Sequence, residues 1–267
     1  MTTTVQALLL EIARCPIASA CLQTQDTAHP CHELVRSQGA RGLSDFQVPE
    51  PWSGQIDRAK LLFISSNPGI SKSDKKSKQE EYPTGSWPDT HIVDFFVNRF
   101  GGGRKEWVAN GTHALHEDGS RARRGTAFWK AVRARANEVL GREAVPGLDY
   151  ALTEVVRCKS VSEASLVERA RIECSPRYLE STVAISVASV LVVLGDHAKR
   201  MVCTEFELEP DQIVQGPVDL GQRQRMVVFL PHPNAHKVRT FAGLVRQGVL
   251  QATELDHLRA FALRAES

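Results

Sequence analysis

The chain has 267 residues, with 33 Lys and Arg against 31 Asp and Glu for a formal net charge of +2, and 42% of its residues are hydrophobic. That mixture excludes wholesale disorder, and we read no window as the roughly 20 apolar residues that a spanning helix needs. Val5–Ala13 carries Glu11 and lacks a basic leader, so neither a secretory signal nor membrane association is expected. One domain over residues 1–267, located in the cytoplasm, is the expectation.

Residues 1–52 read as a helix followed by an irregular arm with Cys15, Cys21, Cys31 and several prolines. Lys60–Ser65 is the first buried strand and runs into Ser65-Ser66-Asn67-Pro68-Gly69, followed by Lys72, Lys75, Lys76 and Lys78. Pro83–Gly125, with Gly101-Gly102-Gly103, reads as a functional lid that is partly helical around His91–Phe100. A second basic group, Arg121, Arg123 and Arg124, precedes a helix over Ala127–Leu140 that stops at Gly141. Tyr150–Arg157, Ser189–Leu194 and Arg225–Leu230 are the remaining strands, and a helix over Leu166–Ala188 should break near Ser175-Pro176. Strands alternating with helices predict a three-layer α/β/α sandwich around a four-stranded parallel sheet, with the ligand site at the carboxyl ends of the strands.

Two loops at those ends carry chemistry. In Ser-Ser-Asn-Pro-Gly, proline fixes one backbone angle and glycine permits a strained one, so Asn67 is held rigidly. A held carboxamide can orient a water by one donated and one accepted hydrogen bond, although an ordinary Asn-Pro-Gly turn has the same sequence. In Leu230-Pro231-His232-Pro233-Asn234-Ala235-His236 two prolines bracket His232, and a neutral imidazole there can donate toward developing negative charge. Pro233 opposes the helix that a His232–His236 zinc pair would need. Six cysteines without a secretory signal leave metal binding, catalysis or core packing rather than a disulfide framework.

Together the two loops resemble the uracil-DNA glycosylase superfamily, whose first motif reads G-x-N-P-G in its mismatch-specific and single-strand-selective branches and whose second reads H-P-S. Phe128-Trp129-Lys130 is similar to the helix start of the mismatch-specific branch. Thr153-Glu154-Val155-Val156-Arg157-Cys158 and Val190-Leu191-Val192-Val193-Leu194-Gly195-Asp196-His197-Ala198 are similar to two strands of the iron–sulfur branch. The likeness covers about Lys60 to Phe241. It implies a DNA repair hydrolase that flips a nucleotide and cuts the N-glycosidic bond of uracil, with xanthine or hypoxanthine as further substrates.

On that resemblance Asn67 orients water and His232 stabilises the departing base. Ser65, Ser66, Gly69, Glu154, Asn234, His236, Lys237, Val238 and Arg239 contact the substrate, and Trp87, or secondarily Tyr82, stacks on the base. No nucleophilic lysine is implied, so strand cleavage is not expected. Cys158 and Cys174 are spaced like the second cysteine pair of the iron–sulfur branch. A structural 4Fe-4S cluster then takes two further thiolates from Cys15, Cys21 and Cys31, leaving Cys203 as a core thiol.

The chain departs from the pattern at three substrate-facing positions. Ser65 replaces the first glycine, Asn234 replaces serine, and Glu154 replaces an asparagine; an ionised carboxylate there accepts but cannot donate, which weakens strict uracil specificity and allows xanthine or hypoxanthine, unless Glu154 points away from the base. It also lacks the C-x-x-C pair of the iron–sulfur branch. The expected partner is DNA containing uracil or deaminated bases, met by a monomer; the alternative is an iron–sulfur protein that binds damaged DNA without releasing a base.

Overall fold

The computed structural model describes residues 1–23, 27–70, 81–116, 118–160, 165–235 and 240–264. Three helices come first, α1 (Thr3–Ala13), α2 (Pro16–Gln23) and α3 (His32–Arg36), so the arm expected to be irregular carries two further helices. Thr2 caps α1 by accepting from the Val5 amide. Pro16 opens α2, where its missing N–H would have no helical partner anyway. Contrary to the sequence expectation, Thr3–Gln23 is long and apolar enough to cross a membrane by length and composition. It is nevertheless divided between α1 and α2, and Leu9 and Ile12 are fully buried in the core.

Then follow β1 (Leu61–Ser65), α4 (Asp89–Val97), a short hairpin of β2 (Val108–Ala109) and β3 (His113–Ala114), and α5 (Ala127–Leu140). The chain continues through β4 (Tyr150–Glu154), α6 (Ser165–Ile185), β5 (Val190–Leu194), α7 (Asp196–Phe206), β6 (Val214–Leu220) and β7 (Arg223–Leu230), and ends with α8 (Phe241–Arg246) and α9 (Ala252–Leu263). The central sheet has the order β4-β1-β5-β7-β6. Its first four strands are parallel, and β6 is antiparallel to β7.

Every residue of β1, β4 and β5 is buried, as strands covered on both faces must be. One core lies between the sheet and α1, α4, α6 and α7, through Leu9, Phe95, Leu179 and Val202. The other lies between the sheet and α5, α8 and α9, through Val132, Leu244 and Leu258. The α/β/α sandwich is therefore the fold.

Two expectations are corrected. The sheet has five strands, because Val214–Leu220 pairs beside β7 through a turn at Gly221 and Gln222, both at positive φ, as a type I′ hairpin requires. Its Gly216-Pro217 step and half-exposed pattern look like a loop in sequence, and proline is tolerated there because β6 is an edge strand with a register shift between Gln215 and Val218. Second, α6 runs unbroken through Pro176. A proline inside a helix costs about 3 kcal/mol, offset here by burial of Tyr178, Leu179 and Val183 against the sheet.

Candidate functional site

Backbone bonds zip the exits of β1 and β4 together beyond the strands themselves. The Val155 and Val156 amides donate to the Ser65 and Ser66 carbonyls, both at 2.9 Å. The Ser160 amide donates to the Pro68 carbonyl at 3.1 Å, and the Ile70 amide to the Ser160 carbonyl at 2.7 Å. Ser65 and Ser66 are consequently buried while Asn67 is half-buried at the rim. Its Nδ2 donates to the Pro68 carbonyl at 3.1 Å and to Ser160 Oγ at 2.9 Å. A carbonyl only accepts, so the NH₂ group must face it; with Nδ2 engaged by Pro68 and Ser160, the expected donated bond to water is corrected, and Oδ1 is left as the carboxamide's acceptor. Gly69 is not at positive φ, and among the described residues a Cβ there would meet nothing within 4 Å. The expectation that glycine permits a strained backbone angle at this position is corrected.

His232 leaves β7 on the same edge, with β5 between it and Asn67. Two inter-strand spacings put the ends of β1 and β7 about 10 Å apart. The Asn234 amide donates to His232 Nδ1 at 3.2 Å. In the neutral imidazole the proton then sits on Nε2, which becomes the donor. Because position 234 contributes its backbone N–H, Asn in place of Ser leaves this contact intact. Phe128, at the start of α5, stacks on the His232 ring with centroids 5.8 Å apart and planes 25° apart. On the β5 side, Gly195 sits at φ +88 and a Cβ there would lie 3.0 Å from His232 Cβ, so a larger residue would require the histidine to give by a few tenths of an ångström.

Glu154 lies opposite Ser65 across the β1–β4 pair and is buried. Tyr82 is also buried: its hydroxyl donates to Glu50 Oε2 at 3.1 Å, its ring packs edge-on against Phe95 and Phe96, and the Lys159 ammonium lies 3.8 Å from its centroid. Trp87 packs on His91 and Phe95, and its carbonyl accepts from Arg14. The structure thus gives both aromatic candidates packing roles and puts Phe128 beside the histidine instead. His236, Lys237, Val238 and Arg239, and likewise Lys72, Lys75, Lys76 and Lys78, lie outside the described residues.

Behind this edge Glu50 is buried among Arg99 at 3.0 Å, Ser53 at 2.9 Å and Tyr82. Burial alone would raise its pKa, but Arg99, Lys159 and the two hydroxyls outweigh it and hold the carboxyl below its ordinary value.

The cysteines gather around a second feature. Cys15, Cys31, Cys158 and Cys174 line one small cavity of about 20 Å³, together with Arg157, Arg177 and Tyr178. None of the six cysteines is in a disulfide. Burial, then neighbouring Cys174, Cys21 and Cys15, pushes the Cys31 thiol up to about 12. Burial raises Cys174 to about 11, and burial with the surrounding thiols raises Cys158 well above its usual range. The Arg157 amide donates to Cys174 Sγ at 3.3 Å.

The Arg157 guanidinium bonds the Pro51 and Tyr178 carbonyls and the Thr153 and Thr182 hydroxyls, all uncharged, and its Nε has no partner among the described residues. A buried cation beside four thiols suits a group that makes them thiolates. Among the described residues no three His, Cys, Asp or Glu side chains converge on a single ion. Four thiols lining one cavity are the donor type and number that an iron–sulfur cluster takes, each thiolate there binding a different iron. Cys203 lies on α7 beside Lys199 and Glu209, outside the cavity lining.

Sequence reasoning did not select Ser160, Phe128, Gly195 or Arg157 as site residues. The signals in the sequence were the polar Cys158-Lys159-Ser160 exit of the second strand, Arg157 within the Thr153–Cys158 motif, the Phe-Trp helix start and the Leu-Gly strand end. No protein-family model matches the chain and no curated protein is significantly similar to it.

Proposed function

We propose that the protein is a monofunctional DNA glycosylase of the uracil-DNA glycosylase type, hydrolysing the N-glycosidic bond of uracil or a related deaminated base. The observation that carries the reading is the complementary pair at one sheet edge: an Asn67 carboxamide with its acceptor oxygen uncommitted to Pro68 or Ser160, and a His232 tautomer with its donor on Nε2. Asn67 Oδ1 accepts a hydrogen bond from water and aims the water oxygen at the sugar carbon. The glycosidic bond breaks with its electron pair leaving on the base, and His232 Nε2–H donates to the base oxygen where negative charge collects. The water oxygen bonds the sugar carbon, and its proton passes through solvent to the base anion.

Buried Glu154 supplies an acceptor for a ring N–H, and an ionised carboxylate has no proton to offer a carbonyl. Such a site selects bases that present a donor. Arg121, Arg123 and Arg124 are exposed on the segment that leads into α5 beside His232, where they can meet phosphates. A 4Fe-4S cluster held by Cys15, Cys31, Cys158 and Cys174 would tie the N-terminal helices to the β4 exit, with Arg157 offsetting its negative charge.

The test is base release from single-stranded oligonucleotides bearing uracil, xanthine or hypoxanthine. Wild type is expected to release at least one base, and Asn67→Ala and His232→Ala to lose about 100-fold in rate or more while retaining DNA binding. Binding of damaged DNA with no release by well-folded wild type would replace this reading with a noncatalytic damage-binding protein.

A further inference from the structure

We infer that Ser160 is the positioning residue for Asn67; the inference rests on the glycosylase reading. A carboxamide turns about two side-chain bonds, and a single hydrogen bond to a neighbouring carbonyl does not stop it. The Pro68 carbonyl takes one Nδ2 proton and Ser160 Oγ takes the other, at 3.1 and 2.9 Å. With both protons committed, the amide plane is set and only Oδ1 can meet water.

Ser160 is itself fixed by the loop it steadies. It is 3% exposed, its amide donates to Pro68 and its carbonyl accepts from Ile70, and it forms a parallel bridge with Gly69. The hydroxyl therefore moves with the Asn67 turn rather than independently of it. Cys158, two residues earlier, lines the thiol cavity. The segment that holds Asn67 is thus anchored on the cavity side as well.

The experiment measures steady-state base release by Ser160→Ala, Ser160→Thr, Asn67→Ala and the Asn67→Ala/Ser160→Ala double variant. The substrate is the oligonucleotide that wild type cuts fastest. Ser160→Ala is expected to lower kcat about tenfold with KM changed less than about twofold, because one oriented hydrogen bond is lost and no substrate contact. Ser160→Thr keeps the acceptor oxygen and should recover to within about threefold of wild type. In the Asn67→Ala background, removing Ser160 Oγ should change kcat by less than about twofold, since its effect runs through Asn67. Thermal midpoint and iron content should match wild type throughout.

Full activity in Ser160→Ala overturns the assignment, as does an equal loss in the Asn67→Ala background or a loss that tracks stability. Those results leave the glycosylase reading standing if wild type and Asn67→Ala behave as stated. No release by wild type overturns both.

Discussion

Glu50 shows how one buried charge can depend on its neighbours. Its carboxylate is held by Arg99 and Ser53 and capped by the Tyr82 hydroxyl, with the Lys159 ammonium contributing from above the Tyr82 ring. Its folded pKa is depressed, so its stabilising contribution is fully present above the ordinary glutamate value of 4.5 and is lost as pH falls below that toward the folded value. Glu50→Gln leaves buried cations without their anion and should lower unfolding stability at pH 7 by about 3 kcal/mol. Urea denaturation at pH 7 and pH 4 should show a steeper acid decline for wild type than for the variant. Equal pH dependence in the two proteins would mean that Glu50 is not the group responsible.

At the scale of elements, the β5–α7 junction does for His232 what the β4 exit does for Asn67. Gly195 ends the strand at φ +88, caps α7, and donates its amide to the Leu230 carbonyl at 2.8 Å, one residue before the Pro231-His232 turn. An added methyl group would press on His232 from one side while Phe128 holds it from the other. Gly195→Ala is expected to cost about 1 kcal/mol of stability from the backbone conformation. It should also cut the rate of base release about tenfold by displacing the imidazole. Thermal unfolding alongside kinetics separates the two effects: a stability loss with an unchanged rate would show that the imidazole tolerates the methyl group.

For the whole molecule, the thiol cavity joins α1–α3 to the β4 exit and α6, segments far apart in sequence. If the proposed 4Fe-4S cluster is bound there, replacing Cys15, Cys31, Cys158 or Cys174 with alanine should each abolish bound iron and the absorbance at the blue end of the visible spectrum. Cys21→Ala and Cys203→Ala should retain both, since neither residue lines the cavity. Removal of the iron should lower the thermal midpoint by more than about 5 °C, because binding to the folded state alone stabilises it. Wild type purified without iron after anaerobic reconstitution would remove the cluster from the proposal and leave the sheet-edge pair untouched.

Much of this architecture was legible in the sequence. Continuous apolar runs bounded by turn residues marked β1, β4, β5 and most of β7. Helical periodicity ending in Gly141 marked α5 at Ala127–Leu140, as observed. Those features are local: they follow from side-chain burial and backbone preferences within a few residues. The loops bearing Asn67 and His232 could be placed at the carboxyl edge for the same reason.

Tertiary structure alone decided the rest. β6 exists because β7 is there to pair with it, and α6 passes through Pro176 because its buried face outweighs the local penalty. Which N-terminal thiols join Cys158 and Cys174 at one cavity depends on how the helices dock. The amide orientation of Asn67 depends on a hydroxyl 93 residues away, and the His232 ring is set by contacts from α5 and β5. A hydrogen bond or a packed ring between distant segments leaves no periodic trace in sequence; only folding brings such partners within reach.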